Sequence, residues 1–166
     1  MIQLAIRNKW ISFRGSSVVK DLNEKDVLKV QGKFWTVTYK KFIQTLDGET
    51  KYIVRNKFWK LFAYKGYVID AKTGAIAATI RRKVFSLHDR YFMDTKYGKV
   101  EITGNILGFD YHIYLEGKEI GHVARKISLR DSFVLTLNDD KADIYFWVAL
   151  VIEIDNITDE RNSSYY

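Results

Sequence analysis

Ile144-Tyr145-Phe146-Trp147-Val148-Ala149-Leu150-Val151-Ile152 is a run of nine apolar residues in a chain of 166 that is elsewhere cut short by turn signals. Asn138, Asp139, Asp140 and Asp143 precede it, and Glu153, Ile154 and Asp155 follow. Its residue types favour a strand. Its length, its lack of any internal turn residue and the acids at its start favour a helix, because acids cap a helix and suit the positive end of its dipole. The balance predicts a helix over residues 142–154, with the Asp139-Asp140 pair read as part of its cap. A helix that is apolar on every side has to be buried on every side.

What surrounds it is written in the rest of the chain. A short phrase returns six times: Ile6-Arg7-Asn8-Lys9-Trp10-Ile11, Val30-Gln31-Gly32-Lys33-Phe34-Trp35, Val54-Arg55-Asn56-Lys57-Phe58-Trp59, Ile80-Arg81-Arg82-Lys83-Val84-Phe85, Thr103-Gly104-Asn105-Ile106-Leu107 and Val123-Ala124-Arg125-Lys126-Ile127. The lysine positions, with asparagine in the fifth copy, are separated by 24, 24, 26, 22 and 21 residues. A period in that range marks a repeated supersecondary unit. Alternating apolar and polar residues that break at turns, as in Tyr67-Val68-Ile69-Asp70-Ala71-Lys72-Thr73-Gly74, make each unit two strands. Six such units predict about 12 strands, too many for an open twisted sheet, and closure would remove the edges. A barrel of that size needs a filler, since an eight-stranded barrel already fills itself with side chains. The expected fold is therefore mainly β: a closed antiparallel barrel of about 12 strands, threaded by a central hydrophobic C-terminal α-helix. One domain over residues 1–157 and a polar, mobile tail over 158–166 complete the expected organisation.

Composition narrows the function. With no cysteine, disulfides, thiolate chemistry and cysteine-bearing zinc sites are excluded. The start of the chain lacks the pattern of a signal peptide, and no apolar run approaches the roughly 18 residues of a membrane span. These features point to a cytoplasmic protein, peripheral to a membrane when a lipid partner is engaged. The net charge of +7 is uneven: residues 1–137 hold 25 Lys and Arg against 13 Asp and Glu, whereas residues 138–166 hold 2 against 7. A basic surface attracts phosphate-rich partners, although strand lysines are also a common device for keeping β-surfaces from pairing.

Enzymatic signatures are not evident. His88, His112 and His122 lack ligand spacing, and His112 reads as a strand histidine; no metal or cofactor is expected. No serine sits in a nucleophile elbow, and Gly104-Asn105-Ile106-Leu107-Gly108 reads as a turn or bulge rather than a phosphate loop. The sharper expectation concerns cations. Equivalent positions of a two-strand repeat return to the same end of an up-and-down barrel, so Lys9, Lys33, Lys57, Lys83 and Lys126, with Arg55, Arg81, Arg82 and Arg125, form a candidate basic rim for anionic lipid or an acidic protein, ahead of nucleic acid. Trp10, Trp35 and Trp59 are read as core.

The ordered set of lysine-marked repeat, Tyr67-Val68-Ile69-Asp70 with Thr73-Gly74, Gly121-His122-Val123-Ala124-Arg125-Lys126 and the terminal Ile152-Glu153-Ile154-Asp155-Asn156 resembles the LURP-one-related family, in the size of its short bacterial members. That family belongs to the tubby C-terminal-like superfamily, which includes the phospholipid scramblases. The resemblance implies the same 12-stranded barrel around a hydrophobic helix, and a relation to domains that bind phosphoinositides through surface lysines and arginines. Scramblases carry an acylated cysteine cluster and a calcium-linked segment that this chain lacks, so scramblase activity is not expected. The resulting expectation is a monomeric, non-enzymatic binding module, with a surface-groove enzyme, a small-ligand carrier or a nucleic-acid-binding barrel as alternatives.

Overall fold

A computed structural model describes residues 1–7, 16–33, 40–57, 65–82, 90–125 and 132–163. Twelve strands form one closed barrel: β1 (Ile2–Arg7), β2 (Ser16–Asp21), β3 (Asp26–Lys33), β4 (Lys40–Gln44), β5 (Thr50–Lys57), β6 (Lys65–Asp70), β7 (Ile76–Arg82), β8 (Arg90–Thr95), β9 (Gly98–Asn105), β10 (Asp110–Leu115), β11 (Lys118–Arg125) and β12 (Ser132–Leu137). Every strand pairs antiparallel with its chain neighbour, and β1 closes on β12 from Ile2 opposite Leu137 to Arg7 opposite Ser132. The repeat phrase falls at the C-terminal ends of the odd strands, so each period is one up-and-down pair.

The lumen is filled. Leu4, Leu28, Ile43, Val54, Val68, Ile80, Ile102, Ile113, Val123 and Leu135 alternate inward and are nearly inaccessible. They meet helix α1 (Ile144–Ser163), whose residues Phe146 through Asp155 are all buried. At 1.5 Å per residue α1 is about 30 Å long, enough to cross the whole barrel. It starts two residues later than the predicted 142 and runs past the predicted end at 154 to Ser163.

The cap also differs from expectation. Asp143 Oδ1 accepts the amide of Phe146 at 3.1 Å, so Asp143 is the N-cap. Asp139 instead closes the preceding turn by accepting from the Lys141 amide at 2.9 Å. Asp143 is the acid adjacent to the first helical residue, where its oxygen reaches an unpaired amide; the 139–140 pair is too early in the chain to do so.

Gly104 shows why the glycine-rich stretch is a turn. Its φ of +136° is closed to side chains, and Asn105 Oδ1 accepts the Gly108 amide at 2.9 Å to fold the β9–β10 connection.

Candidate functional site

The barrel has two chemically distinct ends. Odd strands finish, and even strands begin, at the end where α1 carries Asp155 and Asn156; this is the exit end. The entry end carries the β12–α1 junction and Asp143.

At the exit end the register lines up cationic positions on adjacent strands. Lys33 is opposite Lys40, and Lys40 opposite Arg55. One step further out, Lys57 is opposite Lys65, and Lys65 opposite Arg81. Alternation with the buried residues Ile43, Val54 and Val68 puts positions 40, 55 and 65 on the outer face. Lys65, Arg90 and Arg125 are exposed and Lys40 and Arg55 half-buried. Arg90 is also within 3.8 Å of Glu101.

The predicted rim is thus placed unevenly. Lys33, Lys57, Arg81, Arg82 and Arg125 close their strands at this end, and Arg55 lies one turn of the pleat below. Lys9, Lys83 and Lys126 lie outside the described residues, as do Trp10, Trp35 and Trp59. Three cations escaped the repeat reading: Lys40, Lys65 and Arg90 open even strands, and the repeat phrase marks only odd ones. Their signal is hairpin pairing, which sets the first residue of an even strand opposite the last of an odd one.

Inside this end the helix is not wholly apolar. Glu153 and Asp155 are 0% and 4% exposed, on a segment read from sequence as a hydrophobic plug. Lys41, on the inner face of β4, donates to Asn156 Oδ1, and Asn156 Nδ2 lies 3.4 Å from Glu153 Oε2. The Tyr111 hydroxyl group is wholly enclosed; burial, followed by the Asp155 charge, holds its pKa well above the ordinary range.

At the entry end, Tyr52 on β5 and the β8–β9 turn hold the helix start. Tyr52 donates to Asp143 Oδ2 at 2.6 Å, Lys96 donates to the Tyr52 hydroxyl at 2.6 Å, and Tyr97 donates to Asp143 Oδ2 at 3.1 Å. The Lys96 ammonium sits 3.5 Å from that carboxylate and 4.8 to 5.7 Å from the ring centres of Tyr97, Tyr52 and Phe146. Burial, with the hydrogen bond to Asp143, raises the Tyr52 pKa. Burial alone would lower that of Lys96, but its interactions with Tyr52 and Tyr97 outweigh this and the net shift is upward. This cluster pins the start of α1 to β5 and the β8–β9 turn.

His112 stands exposed in β10, opposite His122 and 3.0 Å from Glu119. Among the described residues no group of three His, Cys, Asp or Glu is arranged to hold a metal, and no helix is long and apolar enough to cross a membrane.

The helix-filled barrel and the repeat that builds it place the chain in a defined class: it belongs to the LURP-one-related family, whose pattern it matches over residues 2–155. Its fold is similar to that in a crystal structure of a protein from Arabidopsis thaliana, with 16% sequence identity, a TM-score of 0.65, and 94% of this chain and 90% of that chain covered. A search of curated proteins by sequence finds no match.

Proposed function

We propose that the protein is a non-enzymatic binding module whose exit end docks on anionic phospholipid headgroups. The observation that carries this reading is the register: Lys40, Arg55 and Lys65 converge from separate strands onto one outer surface, with Arg90 and Arg125 around the same rim. The helix occupies the lumen, which leaves the outer surface for recognition. The described clefts lie at the opposite end, away from these cations. Below the cations the outer face carries Phe42, Ile53, Tyr67 and Ile69, partly exposed, which suits the boundary between headgroup and acyl chain.

Vesicle co-sedimentation tests this. Vesicles containing anionic lipid should pull the protein down, and uncharged vesicles should not. Binding should fall steeply between about 0.05 and 0.5 M salt as the Debye length shortens. Equal capture by uncharged vesicles, or capture indifferent to salt, would refute the reading; preferential capture by single-stranded nucleic acid would replace lipid with a different phosphate source.

A further inference from the structure

The β10–β11 hairpin carries two of the chain's three histidines, and its register brings them together: His112 stands directly opposite His122. Directly opposed residues of an antiparallel pair share a face. Burial of Tyr111, Ile113, Gly121 and Val123 assigns that face to the outside of the barrel. The two ring centres are 6.1 Å apart. In sequence the pair has no ligand spacing; the hairpin makes them neighbours.

A bulge adds a third group. Between Ile113 opposite Gly121 and Tyr114 opposite Glu119 the register slips by one residue, which leaves Ile120 without a counterpart on β10. Positions 119 and 122 would point to opposite faces of a regular strand. The extra residue turns Glu119 to the outer face, where its Oε1 lies 3.0 Å from His112 Nδ1. A carboxylate accepts and does not donate, so Nδ1 carries the hydrogen and Nε2 of the neutral ring keeps its lone pair. This is the carboxylate–imidazole arrangement that orients metal-binding histidines. Asp110, two residues before His112 on the same face, and Glu101 on the adjacent β9 add negative charge around the pair, and Arg90 from β8 lies 3.8 Å from Glu101.

We infer that His112 and His122 form a surface site for a divalent late transition-metal ion of the Zn²⁺, Ni²⁺ and Cu²⁺ class, with Glu119 as the positioning residue behind His112. Imidazole nitrogens suit these ions, whereas Mg²⁺ and Ca²⁺ take oxygen ligands. Imidazoles bound to one ion at about 2.0–2.1 Å per nitrogen hold their ring centres about 5–6 Å apart, so a modest side-chain rotation closes the observed spacing onto an ion. The His112 and Glu119 side chains are 49% and 41% exposed, which lets the ion arrive from solvent and water complete its coordination. Two protein nitrogens are fewer than the four ligands of a closed structural zinc site, so this site is open and exchangeable. It involves none of the exit-end lysines and stands or falls separately from the lipid reading.

Isothermal titration of the full chain with Zn²⁺, Ni²⁺ and Cu²⁺, in a buffer that does not bind metal, tests it. One ion should bind per chain, Cu²⁺ tightest, and Mg²⁺ should not compete. His112→Ala and His122→Ala should each weaken Zn²⁺ binding at least about tenfold, since either leaves a single imidazole. His88→Ala, at the remaining histidine, should bind as wild type does. Glu119→Ala should lose about 10–100-fold, and Glu119→Gln, whose carbonyl still accepts from Nδ1, should recover part of that loss. Nitrogen-15 spectra of the histidine rings in the unaltered protein give a reading that does not depend on a variant's folding: Zn²⁺ should move the ring nitrogens of His112 and His122 together and leave those of His88 in place. Failure of all three ions to bind, ring shifts confined to His88, or a His112→Ala or His122→Ala variant that binds as tightly as wild type would each overturn the proposal.

Discussion

Gly66 on β6 lies directly against the side chain of Glu153 on α1: a Cβ at position 66 would come within 2.7 Å of the Glu153 Cδ and 2.8 Å of its Cγ. Glycine is required there by space rather than by backbone angle, since the helix carries a buried carboxylate past the barrel wall at that point. Gly66→Ala should cost about 1–3 kcal/mol, the usual penalty for overpacking. In a Glu153→Ala background the same change should cost clearly less, and a double-mutant cycle by chemical denaturation measures the coupling. Additive losses would mean that the two residues do not share this space.

Asp143 ties the first turn of α1 to β5 and the β8–β9 turn. Asp143→Ala removes the N-cap and the acceptor for two tyrosines, and should lower stability by about 1–2 kcal/mol for the cap, with a further loss from the unpaired hydroxyls. Tyr52→Phe should cost less, about 1 kcal/mol, because Tyr97 and Lys96 still reach the carboxylate. Thermal unfolding of the two variants gives their order.

The same cluster predicts a response to alkali. Tyr52, Tyr97 and Lys96 all have folded-state pKa values above their ordinary ones of 10.0 for tyrosine and 10.5 for lysine. A group raised on folding contributes its full stabilisation below its unfolded pKa and loses it as pH climbs towards the folded value. Stability should therefore be insensitive to these groups at neutral pH and fall as pH rises above about 10. Tyr52→Phe should unfold with a shallower alkaline slope, measured as denaturation midpoint against pH; an unchanged slope would exclude Tyr52 as a contributor.

The helix is the core, so truncating it should be severe. Leu150→Ala, at a fully buried position, should cost about 2–5 kcal/mol through lost transfer energy and a cavity. Amide hydrogen exchange should find Val148 to Ile152 among the slowest sites, opening only with global unfolding.

Much of this architecture is legible without coordinates because period and burial are encoded locally. Val54, Lys57 and their equivalents repeat at the spacing of a strand pair, and Ile144 to Ile152 has no polar side for solvent. What escapes the sequence depends on neighbours distant in the chain. Nothing beside Lys40 or Lys65 marks them as rim residues until the register sets them opposite Lys33 and Lys57. Glu153 and Asp155 look like the polar end of a helix, yet Lys41, more than a hundred residues earlier, shares their enclosure through Asn156.

The central functional claim is that the location of charge, rather than its total, gives the barrel its partner. Two triple variants of equal net charge separate these possibilities: Lys40→Glu/Lys65→Glu/Arg125→Glu at the exit end and Lys25→Glu/Lys72→Glu/Lys118→Glu at the entry end. Capture by anionic vesicles should drop at least about tenfold for the first and stay within about twofold of wild type for the second, since exposed charges beyond about 10 Å from a surface are largely screened. Equal losses in both variants would contradict the account.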